Sequence, residues 1–385
     1  MKKLTICLVL ALSLVLALVG PSGLAGAAPL GPDPASCTEV PDPQRWVDAG
    51  TPDEGLEDFR ITVHRGAAQL APENTIPAYE YAIAYGLDMI EVDVQQTRDG
   101  RYVVFHDFDI KDRTGQDGLI QLMTYDEAKA INTVGDDGDK WKGSAYDPSY
   151  MPDLEEVLAL ASEHGVGINF DLKESVYNTA SVALLAAEYP GVIERSIFQP
   201  YVPARAEQIV AAVPDAQIML NPQFTTPPAA YYAAGAEYDW FGSDLSWYPA
   251  EAIAAIHDAC DFVQPNVYSD NKTQEATDLN AALAVGADGA MVNNPDVAAE
   301  VLGEPVATSI VVRDSLACLV GHHDLGLPGK TLSVDGTTVT TGVGGCIAPQ
   351  SGWSSVGFAG DGSALPSSLC AATKPGRPSC RKPRH

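Results

Sequence analysis

From Phe59 to about Gly303, short β-branched or apolar runs alternate with stretches of helical period. That alternation constrains the fold more than any other feature. The strand candidates are Arg60–His64, Met89–Val94, Val166–Leu172, Ile193–Phe198, Gln217–Leu220, Asp239–Gly242, Phe262–Val267 and Gly289–Val292. Helix-like stretches lie between most of them: Asn74–Tyr85, Leu154–His164, Thr179–Glu188, Arg205–Val213, Ala250–Asp258 and Asp278–Val285. Strands that alternate with helices build parallel βα units, and eight such units in about 240 residues is the size of an α/β (β/α)8 TIM barrel.

A further run, Tyr102–Phe105, follows the second strand through Thr97-Arg98-Asp99-Gly100. Asp-Gly is a strong hairpin signal, and parallel neighbours need a far longer crossover. The run is therefore an appended hairpin outside the barrel count, which carries His106 above the C-terminal mouth.

The texture changes near Gly303. Ile310–Val312, Thr331–Val334, Thr337–Thr341 and Val356–Phe358 are short β runs separated by Gly, Asp and Pro. They predict a small β-rich C-terminal domain over 304–373, followed by a basic tail over 374–385. A barrel ending at 303 is expected to fold and work without them. Charge divides at the same place, with 14 basic and 47 acidic side chains in 28–304 against 7 and 4 in 305–385. A net charge of −28 disfavours nucleic acid as a partner.

At the other end, Lys2 and Lys3 precede an apolar run from Leu4 to Val19, and Ala25-Gly26-Ala27 gives a small-x-small cleavage pattern. This reads as a signal peptide over 1–27, which predicts a secreted, extracytoplasmic chain with an extended lead-in over 28–58. No other segment is long and apolar enough to span a membrane. Cys37, Cys260, Cys318, Cys346, Cys370 and Cys380 remain after the leader, and an oxidising compartment makes them disulfide candidates. Neighbour pairing is favoured: Cys318 with Cys346, Cys370 with Cys380, and Cys37 with Cys260 at the N-terminal face of the barrel.

Strand alternation puts Glu91 and Asp93 on one face of the second strand, and Asp171 and Lys173 on one face at the end of the third. His64 closes the first strand, with Arg65 next to it. In a (β/α)8 barrel these positions converge on the mouth. Three carboxylates offer hard oxygen ligands suited to Ca²⁺ or Mg²⁺. Two imidazoles, His64 and His106, can serve as general base and acid, while Arg65 and Lys173 can neutralise phosphate oxygens. The set suits metal-assisted phosphoryl transfer. His164, His257, His322 and His323 read instead as structural. Asp136-Asp137-Gly138-Asp139 reads as solvated surface, and Asp107-Phe108-Asp109 lacks the pattern of an EF-hand.

His64-Arg65-Gly66, Pro72-Glu73-Asn74-Thr75, Glu91-x-Asp93, Asp99-Gly100, His106-Asp107 and Arg113-Thr114, in that order and spacing, resemble the glycerophosphodiester phosphodiesterase family. Weaker agreement runs through Pro152-Asp153-Leu154-Glu155-Glu156 and Asp171-Leu172-Lys173 to Asn294-Pro295-Asp296. The resemblance implies a (β/α)8 barrel with a hairpin-borne second histidine. It also implies His64 and His106 as the acid/base pair, Glu91 and Asp93 as metal ligands, and Arg65 and Lys173 as phosphate contacts. Two departures stand out. The third carboxylate, usually Glu in the family, is Asp171, so Phe170-Asp171-Leu172-Lys173 is similar to the sphingomyelinase D branch. Gln264-Pro265-Asn266-Val267-Tyr268 stands where a Trp-Thr-Val-Asn run is common.

The leading expectation is a secreted, divalent-metal-dependent phosphodiesterase that releases glycerol phosphate and an alcohol from small glycerophosphodiesters. One rival is a phospholipase D or sphingomyelinase D-like enzyme acting on lysophospholipid or sphingomyelin. Another is an adhesin or wall-binding protein whose barrel is catalytically idle, with the β-rich region contacting the cell surface or another ligand.

Overall fold

The computed structural model describes residues 59–221, 238–257, 261–303, 306, 309–313, 316–334, 337–347 and 356–358. The leader, the lead-in, Cys37, Cys260, Cys370, Cys380 and the basic tail lie outside them.

Eight parallel strands form the barrel: β1 (Arg60–Val63), β2 (Met89–Gln96), β4 (Gly167–Leu172), β5 (Ile197–Pro200), β6 (Gln217–Leu220), β7 (Trp240–Phe241), β8 (Phe262–Val263) and β9 (Gly289–Val292). They neighbour one another in the order β8-β7-β6-β5-β4-β2-β1-β9. Asp288 N donates to Val263 O (2.9 Å) and Val267 N to Met291 O (3.0 Å), which joins β8 to β9 and completes the ring. The hairpin strand β3 (Tyr102–Val104) pairs antiparallel with β2, Val94 opposite Val104. Gly100 turns it in the left-handed region (φ 84°), as the Asp-Gly signal requires.

Helices fill the outer layer: α1 (Ile76–Ala84), α4 (Leu154–His164), α5 (Thr179–Ala187), α7 (Pro203–Ala212), α8 (Ala250–His257), α9 (Lys272–Val285) and α10 (Pro295–Leu302), with the short α2 (Lys111–Thr114), α3 (Tyr125–Lys129) and α6 (Val192–Arg195) between them. Local chemistry sets their ends. Thr75 caps α1, Glu156 reaches back to Asp153 N at the start of α4 (2.7 Å), and left-handed Gly165 ends that helix.

Three predicted boundaries shift. Ile193–Phe198 begins as a helical turn, because left-handed Gly191 opens it and Arg195 bonds back to Gly191 O (2.7 Å). The helix predicted from Asp278 starts at Lys272, since the Asn271 side chain accepts from Thr273 N and Gln274 N. The run Phe262–Val267 keeps only two ladder residues before Pro265, which has no N–H to donate.

Period-2 alternation explains where the polar residues of β2 go. Ile90, Val92 and Val94 belong to the main hydrophobic cluster together with residues of α1 and α4. Met89, Glu91, Asp93 and Gln95 occupy the other face, inside the barrel. Met89 packs with Ile197, Met219 and Trp240 as an apolar floor. Glu91 lies one layer up, level with Asn169, and Asp93 a further layer up, level with Asp171.

The chain from Phe105 to Met151 forms a small lobe beside the mouth, whose core of Phe105, Ile110, Ile120, Ala128, Ile131 and Met151 packs on Val103 of β3. Beyond Gly303, β10 (Ser309–Arg313), β11 (Leu316–Val320) and β14 (Cys346–Ile347) make one antiparallel sheet. A second contains β12 (Thr331–Val334), β13 (Thr337–Thr340) and β15 (Val356–Phe358). The disulfide Cys318–Cys346 joins register partners on β11 and β14, as neighbour pairing anticipated. The region is not detached from the barrel. Its Ile310, Leu319, Leu327, Leu332 and Ile347 share one hydrophobic cluster with α1 and the barrel, and Gly344 N donates to Tyr81 Oη (3.0 Å). Among the described residues, no helix is long and apolar enough to cross a membrane.

Candidate active site

Glu91, Asp93 and Asp171 are all buried, and each offers a carboxylate oxygen within 4.8 Å of the others. Burial, then the charges of Asp93 and Asp171, push the Glu91 carboxyl far above its ordinary range. Burial raises Asp171 as well. At Asp93 burial acts in the same sense, but Lys173 and Arg65 outweigh it and hold the carboxyl well below the usual range. Asp171 Oδ1 is buried without a hydrogen-bond partner. Three clustered carboxylates, an orphaned oxygen and, among the described residues, two adjacent cations fit a hard divalent ion.

The two cations are held on several sides. Lys173 Nζ lies 2.6 Å from Asp93 Oδ1 and 2.7 Å from Asp171 Oδ2. Tyr201 Oη also donates to Asp171 Oδ2 (3.0 Å). Arg65 sits in the left-handed region (φ 54°), an uncommon place for a side-chain-bearing residue, followed by Gly66 at φ 73°. A Cβ on Gly66 would stand 2.8 Å from the backbone of Ala78, so only glycine lets α1 approach. This turn directs Arg65 N to Glu91 Oε2 (2.7 Å) and Arg65 Nε to Asp93 Oδ2 (3.3 Å). Asn74 Nδ2 donates to Asp93 Oδ2 (2.6 Å) and is itself fixed by the Tyr79 hydroxyl (2.8 Å).

The histidines have unlike surroundings. His64 is half-buried; its Nδ1 faces Asn293 Oδ1 (2.9 Å) and its ring stacks on Tyr268 (centroids 4.2 Å apart, planes 10°). Because Asn293 offers an acceptor, Nδ1 carries the hydrogen and Nε2 keeps its lone pair. Burial, then the neighbouring Arg65, lowers its pKa to about 4. His106 Nδ1 instead faces the Asp107 carboxylate (2.6 Å), an ion-pair partner for imidazolium. Gln95, fully buried, anchors that segment by donating to Phe105 O (2.9 Å) and Asp107 O (2.7 Å). Arg113 of the side lobe links both halves of the site. It bonds Glu73 Oε1 (2.7 Å), which also holds Arg65 (3.1 Å), and reaches Asp107 Oδ2 at 3.8 Å.

The expected residues therefore come to one mouth, with Asp93 and Asp171 in direct contact with Lys173. Sequence reading assigned no role to Tyr201, Tyr268, Asn293, Gln95 or Glu275. Of these, only Tyr268 carried a signal, as an aromatic residue in the altered run after β8.

The model of the glycerophosphoryl diester phosphodiesterase family matches residues 64–199. YqiK of Bacillus subtilis (strain 168) is 34% identical over 183 residues, 40% of this chain and 72% of that protein. A glycerophosphodiester phosphodiesterase of Bacillus altitudinis is 36% identical over 144 residues, 35% of this chain and 50% of that enzyme. The chain thus spans about half the length of the curated phosphodiesterases it first matches. An Oleispira antarctica phosphodiesterase, solved with the product sn-glycerol-3-phosphate, shares the fold at a TM-score of 0.55 and 20% identity, covering 64% of this chain and 98% of that one. By the family model and the extent of its likeness to YqiK, this chain belongs to the glycerophosphoryl diester phosphodiesterase family.

Proposed function

We propose that this protein is a secreted, metal-dependent phosphodiesterase that hydrolyses small glycerophosphodiesters to glycerol phosphate and an alcohol. The observation that carries the reading is the meeting of Glu91, Asp93 and Asp171 with Arg65 and Lys173 at a mouth bearing two unlike histidines. Glu91, Asp93 and Asp171 would hold Ca²⁺ or Mg²⁺, which supplies positive charge to the phosphoryl oxygens when bound. Arg65 and Lys173 bind and orient the phosphate. His64 Nε2, fixed as the lone-pair nitrogen, removes the proton from the attacking hydroxyl of substrate or water. His106, paired with Asp107, delivers a proton to the departing alkoxide, so the P–O bond breaks to a neutral alcohol. The leader over 1–27 supports action outside the cytoplasm.

Asp171 in place of Glu, together with exposed Phe108, Tyr177 and Val202 on the loops above β3, β4 and β5, supports a second reading as a phospholipase D-type enzyme on lysophospholipid. Product analysis separates the two. Glycerophosphocholine, lysophosphatidylcholine and sphingomyelin are each incubated with enzyme, with and without chelator. Glycerol phosphate from glycerophosphocholine, abolished by chelator, is expected. Turnover of the lipids alone would favour the second reading, and no turnover of any would support a catalytically idle barrel.

A further inference from the structure

We propose that Glu275 is a positioning residue for His64, acting through Tyr268 and Asn293. Glu275 lies in the first turn of α9 and is completely buried. Its Oε2 accepts from Ser269 N (3.0 Å) and Asn293 N (2.7 Å), and its Oε1 from Asn294 N (2.9 Å). Those donors belong to two different loops. Ser269 follows Tyr268 in the segment after β8, and Asn293 follows β9. A second tie, Asn294 Nδ2 to Ser269 O (2.8 Å), spans the same two loops.

The loops carry the two side chains that define the His64 imidazole. Tyr268 stacks on the ring face, and Asn293 Oδ1 takes Nδ1 in the ring plane. One carboxylate therefore fixes both the plane and the rotation of the ring. The charge is necessary for this. A buried carboxylate is costly unless well donated to, and it offers acceptors only. A glutamine there would turn its NH₂ toward at least one backbone N–H in either orientation, toward Asn294 N or toward both Ser269 N and Asn293 N, and so would push against one loop or both. Because proton transfer depends on near-contact geometry, a displacement of about 1 Å costs about 10²-fold in rate.

The inference rests on His64 being the base of the proposed reaction. Its test uses the metal-loaded full chain and three variants, Glu275→Gln, Tyr268→Phe and Tyr268→Ala, read by kcat and KM on glycerophosphocholine and by ¹⁵N NMR of the histidine rings. Glu275→Gln is expected to lower kcat about 10- to 100-fold with KM within about twofold, and to replace the single Nδ1–H tautomer of His64 by a mixture. Tyr268→Ala is expected to lose more kcat than Tyr268→Phe, which keeps the stack, and to do so without threatening the fold at an exposed site. A Glu275→Gln protein that melts lower yet keeps kcat and the His64 signature overturns the proposal. So does a rise in KM alone in Tyr268→Ala, which would make that ring a substrate contact. If wild type hydrolyses no glycerophosphodiester, the functional reading fails, while the NMR comparison still decides whether Glu275 positions His64.

Discussion

Asp93 and Asp171 are register partners on adjacent parallel strands, and both close on one ammonium, that of Lys173, at 2.6 and 2.7 Å. Lys173 is thus the counter-ion that lets two buried carboxylates coexist, before any phosphate arrives. Removing one partner of such a group costs about 3–5 kcal/mol, since it leaves buried charge uncompensated. Lys173→Met is expected to lower Tm and to cut kcat/KM by more than about 10²-fold. Calorimetry and steady-state kinetics check this. An unchanged Tm would mean that the carboxylates are neutralised by something else.

The carboxylate cluster also predicts how stability responds to metal. A ligand bound only by the folded state stabilises by about 2.7 kcal/mol at a hundred times its Kd. Adding Ca²⁺ or Mg²⁺ to chelator-treated protein should raise Tm. The rise should vanish in Glu91→Gln or Asp171→Asn, and Glu91→Ala should be nearly inactive. A metal-induced shift that survives both substitutions would place the ion elsewhere.

His64 gives a pH dependence with a definite sign. Its pKa is lowered from 6.5 to about 4 by burial and then by Arg65. Between those values the unfolded chain binds a proton that the folded chain refuses, so stability falls as pH drops from 6.5 toward 4. His64→Gln should lack that part of the loss. Denaturant melts of chelated protein at pH 7 and pH 5 should show the variant gaining on wild type upon acidification. In kinetics the acid limb of kcat/KM should lie below the pH at which a free imidazole titrates. A limb at 6.5 or above would remove His64 as the base.

Arg113 connects Glu73 and Arg65 to Asp107 and His106 from a lobe outside the barrel. It is about one-third exposed, so its loss should cost little stability. Arg113→Ala is nevertheless expected to raise KM and lower kcat by about tenfold each, because Arg65 and His106 lose a shared support. Parallel measurements of Tm and steady-state constants decide it. Unaltered kinetics would show that Glu73 and Asp107 hold their places unaided.

What the sequence made legible follows from local rules. Alternation placed Glu91 with Asp93, and Asp99-Gly100 turned the hairpin that carries His106; both needed only neighbours in the chain. The supports of the site obey no local rule. His64 and Asn293 are 229 residues apart, and Glu275 reaches its backbone donors 6, 18 and 19 residues away only after two loops have folded over α9. A buried glutamate on a helix of polar composition looks in sequence like any solvated one. The fourth barrel strand, β5, misled for a similar reason, since Ile193 is apolar in either a strand or a helical turn, and Gly191 decides between them.

The C-terminal β region offers the last test, because it docks on α1 of a barrel expected to fold and work without it. Tyr81 and Tyr85 of and beside α1 are only 3% and 4% exposed, and the region contributes to their surroundings through Gly344 on Tyr81 Oη and Lys330 over the Tyr85 ring at 5.1 Å. A Cβ on Gly321 would stand 2.0 Å from Ala84 O, so the contact is backbone against backbone. Uncovering large apolar side chains costs about 1.5–3 kcal/mol each when exposure becomes complete. Truncation after Gly303 is therefore expected to lower Tm by about 5 °C or more. Gly321→Ala should reproduce part of that loss by wedging the two apart. The site lies beyond the other end of α1, where Asn74 holds Asp93, so kcat measured well below the melt should stay within a few-fold of wild type. A truncated chain that melts with the full-length protein would show that the docked surface contributes no stability.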